Sequence, residues 1–260
     1  MSGAVNFKSC GSVLVTGANR GLGLQLVQSL ASGGFSPGKI IATTRNLTGA
    51  QQLQELAQKY PNIHIVTLDV VNQESIEKCA EEVGQLLKEE GLNCLINNAG
   101  INVAADFHSV TAEKMMENFH TNAVAPLMIT KAFLPLLKRA ASTGASRTMG
   151  IQRAAVINMT SLLGSVELNW GERADTFKWY PYRTSKSALN MVSRCMAIDL
   201  EPDGILCMAI HPGWVRTDMG GSQAPLSPEE SVASVLSVIG GLTEKDHGSF
   251  LNFTGEQLPW

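Results

Sequence analysis

Short apolar runs alternate with longer amphipathic stretches along most of the chain. The first run is followed by a glycine-rich turn and then by a helical pattern, which is the order of a strand–helix unit. The pattern predicts strands at 12–16, 40–44, 63–68, 94–96, 155–159 and 205–210, with a short apolar run at 250–253. Helices are predicted at about 21–31, 50–60, 73–90, 111–139, 182–200 and 228–239.

The predicted strands are almost continuously apolar. Strands of this kind are typical of a parallel sheet that is covered on both faces, and regular alternation with helices favours the same arrangement. No repeat, linker or low-complexity segment divides the sequence. We therefore predict an α/β fold, a doubly wound parallel sheet with helices on both faces, as a single domain over 1–260.

Composition and charge narrow the function classes. The chain has 260 residues, of which 44% are hydrophobic and 17% charged, so one sizeable core is expected. A net charge of -3 without a basic cluster argues against nucleic acid or an anionic membrane as partner. The most apolar stretch, 123–137, is interrupted by Lys131 and two prolines, and no secretory signal is recognised, so we expect no membrane association.

The five cysteines are odd in number and scattered, without C-x-x-C spacing. This pattern predicts reduced structural thiols in a cytosolic, cytoplasmic protein, and it offers no metal site.

The glycine-rich turn after the first strand reads TGANRGLG from Thr16 to Gly23. Glycines at this point let the backbone turn sharply and approach a pyrophosphate at the N-terminus of the first helix. The segment lacks the G-K-[ST] of a P-loop, which argues against a triphosphate. A tight turn without a ligand is the alternative, but the strand–helix context favours a dinucleotide site.

Cofactor preference depends on the residues at the end of the second strand, about 20 residues past the glycine turn. That window reads Thr43-Thr44-Arg45 and lacks the carboxylate that would bind a ribose 2′-hydroxyl. Arg45, together with Arg20 of the glycine turn, could grip a 2′-phosphate, so we predict NADP(H). The alternative is that both arginines are only solvated surface charges.

Tyr182 and Lys186 stand one helical turn apart. If the pair is partly buried, the lysine charge would lower the pKa of the phenol by about 2 to 3 units, towards a useful general acid. The bland alternative is a tyrosine packed on the sheet beside a surface lysine, because a Y-x-x-x-K pattern alone is common.

Four motifs occur in the order that is typical of one family: TGANRGLG from Thr16, NNAG from Asn97, a serine in Asn158-Met-Thr-Ser161, and YRTSK from Tyr182. The chain resembles the compact, single-domain short-chain dehydrogenases/reductases, whose fold is of the Rossmann type. The segment from His211 to Asp218 looks like the family's proline–glycine turn beside the nicotinamide. Within the family, INMTSLLGS, YRTSKSALN and Leu-Pro-Trp at 258–260 most resemble the sniffer-type carbonyl reductases.

The resemblance implies four catalytic residues. Tyr182 exchanges the proton, Lys186 lowers the pKa of the phenol and bonds the nicotinamide ribose, and Ser161 holds the substrate oxygen. Asn122 matches the asparagine that fixes a relay water, although it could instead serve helix packing. Ser165 is a less favoured substitute for Ser161, and we read His211 as a packed strand-end histidine.

The resemblance also implies how the cofactor is held. The glycine turn binds the phosphates, Asp69 and Val70 border the adenine, and the NNAG segment lines the cofactor, although Asn97 could instead brace neighbouring strands. Val215 offers backbone atoms to the carboxamide, and Thr217 offers its hydroxyl to a phosphate. The full predicted set is Gly17, Asn19, Arg20, Gly21, Leu22, Gly23, Arg45, Asp69, Val70, Asn97, Ala99, Gly100, Tyr182, Lys186, Pro212, Gly213, Val215 and Thr217.

One departure from the family pattern is the separation of 21 residues between Ser161 and Tyr182. The added segment includes Trp170 and Trp179, and Glu172, Arg173 and Asp175 lie between them. We predict that this loop forms one wall of the substrate site and excludes bulky substrates. A simple surface excursion is the alternative.

The predicted activity is reversible, NADPH-dependent reduction of an aldehyde or ketone, a small-molecule carbonyl substrate, to an alcohol. A non-catalytic NADP-binding regulator or scaffold is one alternative. A nucleotide-sugar epimerase or dehydratase is another, disfavoured because only about 60 residues follow the catalytic helix. The resemblance also suggests a homodimer formed through the long helices.

Overall fold

A seven-stranded, wholly parallel sheet forms the centre of the protein. The computed structural model describes residues 7–143, 148–171, 174 and 177–260. Its strand order is β3-β2-β1-β4-β5-β6-β7. The strands are β1 Ser12–Val15, β2 Lys39–Thr44, β3 Ile63–Thr67, β4 Cys94–Asn97, β5 Ala155–Met159, β6 Leu206–His211 and β7 Phe250–Asn252. The predicted doubly wound parallel sheet is confirmed.

Helices cover both faces of the sheet and give it two apolar layers. One layer packs side chains such as Leu26 and Leu236 against the sheet, and the other packs side chains such as Phe133 and Met196. The strands carry apolar residues on both faces for this reason. The helices are α1 Gly21–Ser32, α2 Gln51–Lys59, α3 Gln73–Leu87, α4 Ala112–Phe119, α5 Ala125–Thr143, α6 Tyr180–Leu200 and α7 Pro228–Gly240.

The long helix predicted at 111–139 is instead two helices joined by a π-helical turn. α4 ends at Phe119, the π-turn covers His120–Val124, and α5 follows. Apolar residues recur at helical spacing through the whole stretch, so periodicity alone does not reveal the wider turn. Such turns are frequent at functional sites, and this one contains Asn122.

The start of α6 also differs from the sequence prediction. The helix begins at Tyr180 rather than at Tyr182, and Pro181 occupies its first turn, where the missing N–H has no cost. Tyr182 therefore lies in the first turn of α6.

The crevice of the fold lies where the strand order reverses, between β1 and β4. Val13 of β1 pairs with Ile40 of β2 on one side and with Cys94 of β4 on the other. The segments that follow β1, β4, β5 and β6 all emerge at the carboxyl edge of the sheet, so the four sequence motifs meet there. Within the described ranges, no helix is both long and apolar enough to cross a bilayer.

Candidate active site

The glycine turn between β1 and α1 is built from residues that tolerate no larger side chain. Gly17 and Gly21 have φ angles of 66° and 53°, which favour glycine. A Cβ on Gly23 would lie 2.1 Å from the carbonyl oxygen of Gly17. Arg20 occupies the N-cap position of α1, and its side chain, which has no acceptor, makes no capping bond to the N–H groups of the first turn. Asn19 and Leu22, in the same turn, are both half-buried.

A brace that the sequence analysis missed holds this turn against β4. The hydroxyl of Thr16 accepts hydrogen bonds from the backbone N–H groups of Asn98 and Ala99, both at 3.0 Å. The side-chain amide of Asn98 donates back to the carbonyl oxygen of Thr16 at 2.9 Å. The second asparagine of NNAG could have indicated this contact, because a polar side chain beside a glycine turn needs a backbone hydrogen-bond partner.

Arg20 and Arg45 lie at different places around the turn. Nη1 of Arg20 is 3.3 Å from a carboxylate oxygen of Asp218, in an ion pair that is largely exposed. Arg45 follows the end of β2 and is exposed, and Thr44 before it is buried. Arg45 thus lies exposed at the end of β2, whereas Arg20 pairs with the segment after β6.

The other predicted cofactor positions follow the ends of β3 and β6. Asp69 and Val70 are half-buried just beyond β3. After β6, Pro212 is buried, Gly213 has a φ of 86°, and Val215 is buried. The side chain of Thr217 lies 3.7 Å from the Cβ position of Gly21, so this segment closes over the glycine turn.

The NNAG segment is divided between two tasks. The side chain of Asn97 is buried and donates to Oδ1 of Asn158 at 2.9 Å and to Thr130 at 3.3 Å, so it braces β4 against β5 and α5. Ala99 and Gly100 are half-buried at the crevice. The structure thus places Asn97 between strands and the two small residues at the crevice.

Tyr182 and Ser161 come together across the crevice. Ser161 follows β5, and its side chain lies close enough to the phenol of Tyr182 to influence the pKa of that phenol. Oγ of Ser161 also accepts the backbone N–H of Leu163 at 3.1 Å, which leaves its own hydrogen free to point at the phenol or at a ligand oxygen. Burial raises the pKa of Tyr182 to about 12, and the side chain of Ser161 offsets part of the rise.

Lys186 lies beneath the tyrosine ring, with Nζ 5.7 Å from the ring centroid. Nζ donates to the carbonyl oxygen of Met159 at 2.9 Å, and burial lowers the pKa of the lysine to about 8. The sequence analysis expected the lysine charge to lower the pKa of the phenol. In the structure burial dominates for both groups, because the ammonium is directed at Met159 and is itself desolvated. At neutral pH the phenol holds its proton and the lysine is mostly charged.

Asn122 ties the π-turn to two parts of the site. Its side-chain amide donates to the carbonyl oxygen of Ile101 at 2.8 Å and to the hydroxyl of Ser185 at 2.9 Å. Oδ1 accepts the backbone N–H of Ile101 at 2.9 Å. The side chain therefore fixes the segment after β4 against α6, one residue before Lys186.

Two further residues lie near the site. Ser165 has other hydrogen-bond partners, and His211 is uncharged. Oγ of Ser165 donates to the main-chain oxygen of Trp260 at 3.2 Å and accepts the N–H of Leu168, so it is engaged away from Tyr182. Burial lowers the pKa of His211 to about 4, which makes the ring neutral at pH 7. Both observations agree with the sequence interpretation of these residues.

The segment between Ser161 and Tyr182 brings aromatic rings to the site. Phe177 lies between Trp179 and Trp214, with centroid distances of 4.6 and 5.5 Å, and the Trp179 ring meets the Tyr182 ring edge-on at 6.3 Å. Trp170 is 87% exposed. Glu172, Arg173 and Asp175 lie outside the described residues.

Known proteins resemble this chain in sequence and in fold. A family model described as short chain dehydrogenase matches residues 11–226. The chain belongs to the short-chain dehydrogenase family. Carbonyl reductase Sniffer of D. melanogaster is 43% identical over 96% of this chain and 99% of that one, with a TM-score of 0.91. An NADPH-bound carbonyl reductase from chicken fatty liver is 44% identical over 96% and 94% of the two chains, with a TM-score of 0.92.

A bacterial relative matches a shorter part of the protein. The C-signal of Myxococcus xanthus is 39% identical over 170 residues, which cover 65% of this chain and 93% of that protein. The short-chain dehydrogenase described here is thus an oxidoreductase, and its similar solved structures include carbonyl reductases.

The crevice of this short-chain dehydrogenase fits a nicotinamide dinucleotide. The glycines let the turn pack closely, because a Cβ on Gly23 would lie 2.1 Å from the carbonyl oxygen of Gly17, and the first turn of α1, whose N-terminus can receive a phosphate, follows directly. A Cβ on Gly100 would lie 3.5 Å from Nζ of Lys186, so the segment after β4 runs close beside that lysine. The residues present are therefore of the kind and placement that the cofactor requires.

Proposed function

We propose that this protein is an NADPH-dependent carbonyl reductase that converts an aldehyde or ketone reversibly to the alcohol. The observation that carries the proposal is the grouping of Ser161 and Lys186 beside the buried phenol of Tyr182, with Lys186 also next to Gly100 of the segment after β4. The cofactor would supply the hydride. The similarity to an NADPH-bound carbonyl reductase supports the choice of cofactor and reaction.

Tyr182 donates the proton in this reaction. A phenol with a pKa near 12 is protonated at neutral pH and can donate to the oxygen of a carbonyl as negative charge develops there. Ser161 can donate a second hydrogen bond to the same oxygen, because the bond that its oxygen accepts from the N–H of Leu163 leaves the hydroxyl hydrogen unused. In the reverse direction the alcohol proton returns to the phenolate.

Lys186 and Asn122 prepare this arrangement. The charged lysine beneath the ring stabilises negative charge left on the phenol after proton donation. It also lies beside Gly100, where it can bond the ribose of a bound cofactor. Asn122 holds the adjacent turn of α6 through Ser185, so the lysine keeps its position.

The aromatic segment supports the predicted wall of the substrate site. Phe177, Trp179 and Trp214 form a continuous ring contact that ends on the Tyr182 ring. We propose that a carbonyl substrate reaches Tyr182 along these rings and that their spacing limits its size. We propose small or flat aldehydes, ketones, quinones and diketones as the class to test.

The proposed activity is tested with purified protein and a panel of small aldehydes, quinones, diketones and steroids, followed by the loss of NADPH absorbance. We expect Tyr182→Phe to lower kcat about 10²- to 10⁴-fold, because it removes the proton donor. NADPH binding, measured by its fluorescence, should be retained. Turnover that survives in Tyr182→Phe would contradict the assignment, and failure of the whole panel would favour a cofactor-binding regulator.

We also propose a homodimer formed through α4 and α6. These helices pack together and expose Met116, Phe119, Met191 and Ile198. Apolar side chains clustered on one face are typical of an interface between copies. Light scattering of the purified protein should give twice the mass of one chain.

All five cysteines are free thiols, which supports the predicted cytosolic location.

A further inference from the structure

Residues 256–260 fold back along the edge strand of the sheet. The N–H of Asn252 donates to the carbonyl oxygen of Glu256, and the N–H of Leu258 donates to that of Phe250, both at 2.8 Å. Gln257 forms an antiparallel bridge with Leu251. This return of the chain carries Trp260 from the edge of the sheet towards α6.

The Trp260 ring is anchored between β7 and α6. Its centroid lies 5.4 Å from that of Phe250, which is fully buried. The guanidinium carbon of Arg194 lies 5.5 Å above the Trp260 ring, and the same guanidinium donates to the carbonyl oxygen of Gly248 at 2.8 Å. Ring packing and the cation–π contact together fix the position of the Trp260 main chain.

The main-chain oxygen of Trp260 holds the loop after β5. It accepts the hydroxyl of Ser165 at 3.2 Å and the backbone N–H of Glu167 at 3.0 Å. The hydroxyl of Ser165 also accepts the N–H of Leu168 at 3.2 Å, and Ser165 is almost wholly buried. One oxygen thus holds both Ser165 and Glu167 in the turn at 165–168.

This turn is coupled tightly to Ser161. The N–H of Gly164 donates to the carbonyl oxygen of Ser161 at 2.9 Å, and the carbonyl oxygen of Gly164 accepts the hydroxyl of Ser187 on α6 at 2.8 Å. A Cβ on Gly164 would lie 2.8 Å from the backbone of Lys186, so the loop has no free space beside α6. A shift of Ser165 must therefore move Ser161 relative to Tyr182.

We propose that Trp260 is a positioning residue for Ser161. Its ring supplies the anchor, and its main-chain oxygen holds the 161–168 loop in the position that keeps the Ser161 side chain beside the phenol of Tyr182. The inference rests on the proposed function of Ser161 as the group that binds the carbonyl oxygen. It also explains why Ser165, four residues after Ser161, is engaged away from the reacting atoms.

The first test measures the loop without reference to activity. Amide hydrogen exchange of peptides spanning 161–168 should become faster in Trp260→Ala and in Ser165→Ala. It should stay near wild type in Trp260→Phe, which keeps an aromatic ring against Phe250. Trp170→Ala serves as the matched control, because Trp170 lies just beyond the same loop and is 87% exposed. Unchanged exchange in Trp260→Ala and Ser165→Ala would overturn the proposal.

The second test asks whether the effect acts through Ser161. With p-nitrobenzaldehyde as substrate, Trp260→Ala should lower kcat about tenfold, since small misplacements of a catalytic group cost this much. The KM for NADPH should be unchanged, and Trp260→Phe should restore kcat. In a Ser161→Ala background, Trp260→Ala should add no further loss.

The outcomes separate the two levels of inference. If the losses from Ser161→Ala and Trp260→Ala multiply, Trp260 does not act through Ser161 and the proposal is overturned. If the wild-type protein reduces no carbonyl, the proposed function fails. The hydrogen-exchange result still decides whether Trp260 holds the loop.

Discussion

The two halves of the crevice are built in different ways. The cofactor half consists of backbone turns at the ends of β1 and β4. Their conformation is restricted by glycines and by the hydrogen bonds between Thr16 and Asn98. The substrate half consists of side chains, with Phe177 and Trp214 brought together from segments far apart in sequence. The first half depends on close backbone packing and the second on ring contacts, so they should respond differently to substitution.

The largest effect is expected where the backbone has no room. In Gly23→Ala the new methyl group would meet the carbonyl oxygen of Gly17 at 2.1 Å, so the turn must open. We expect a loss of about 1 to 3 kcal/mol in stability, as for other overpacked sites, together with loss of NADPH binding. Thermal unfolding and fluorescence titration measure the two effects.

Gly49→Ala is the matched control for this change, because a Cβ at Gly49 meets nothing within 4 Å. Equal behaviour of the two variants would show that the glycine turn is not a close-packed cradle.

The next largest effect is expected at the 2′-phosphate, which NADPH carries and NADH lacks. Arg45 is exposed at the end of β2, with no acidic neighbour in the 43–45 segment. Arg45→Asp should weaken NADPH binding by about 10- to 100-fold through loss of charged hydrogen bonds and added repulsion, and NADH binding far less. Isothermal titration with each cofactor measures the difference.

Arg20→Ala provides the comparison, since Arg20 pairs with Asp218 rather than lying at the end of β2. An equal loss of both cofactors in Arg45→Asp would refute the assignment to the 2′-phosphate.

The pH dependence should follow Lys186, which joins the two halves. Its pKa is lowered to about 8, so the lysine is charged below that pH and neutral above it. With the charged form active, kcat/KM for reduction should be level near neutrality and fall by about tenfold per unit above pH 8. Tyr182, with its pKa raised to about 12, stays protonated across this range.

The measurement is a pH profile of kcat/KM with NADPH binding followed in parallel. A profile that stays level to pH 10 would mean that the lysine charge does not support the reaction, and the electrostatic role of Lys186 would have to be abandoned.

The smallest effect is expected in the aromatic wall. Phe177→Ala removes the ring between Trp179 and Trp214 and widens the entrance to Tyr182. We expect kcat/KM for a steroid ketone to rise about three- to tenfold relative to p-nitrobenzaldehyde, since steric discrimination by apolar pockets is modest. NADPH binding should not change. An unaltered substrate profile would leave the 161–182 segment as a surface excursion.

Much of this architecture was predictable from local sequence. Continuous apolar strands alternating with helices predict the parallel sheet, and the four motifs predict the crevice and the meeting of Ser161 with Tyr182 and Lys186. Two elements were not predictable. The π-turn at His120–Val124 interrupts a stretch whose apolar spacing continues unbroken, and the return of residues 256–260 onto β7 depends on pairing with a distant strand.

What the sequence alone determined is therefore the set of chemical groups and the edge of the sheet at which they gather, because the alternation of strands and helices and the glycine turns follow from local periodicity and backbone sterics. Only the tertiary structure decided their surroundings. Burial raises the pKa of Tyr182 and lowers that of Lys186, Asn97 is turned between the strands, and Trp260 is set against the Ser161 loop. Desolvation and long-range contacts depend on neighbours that are distant along the chain, so local sequence patterns do not predict them.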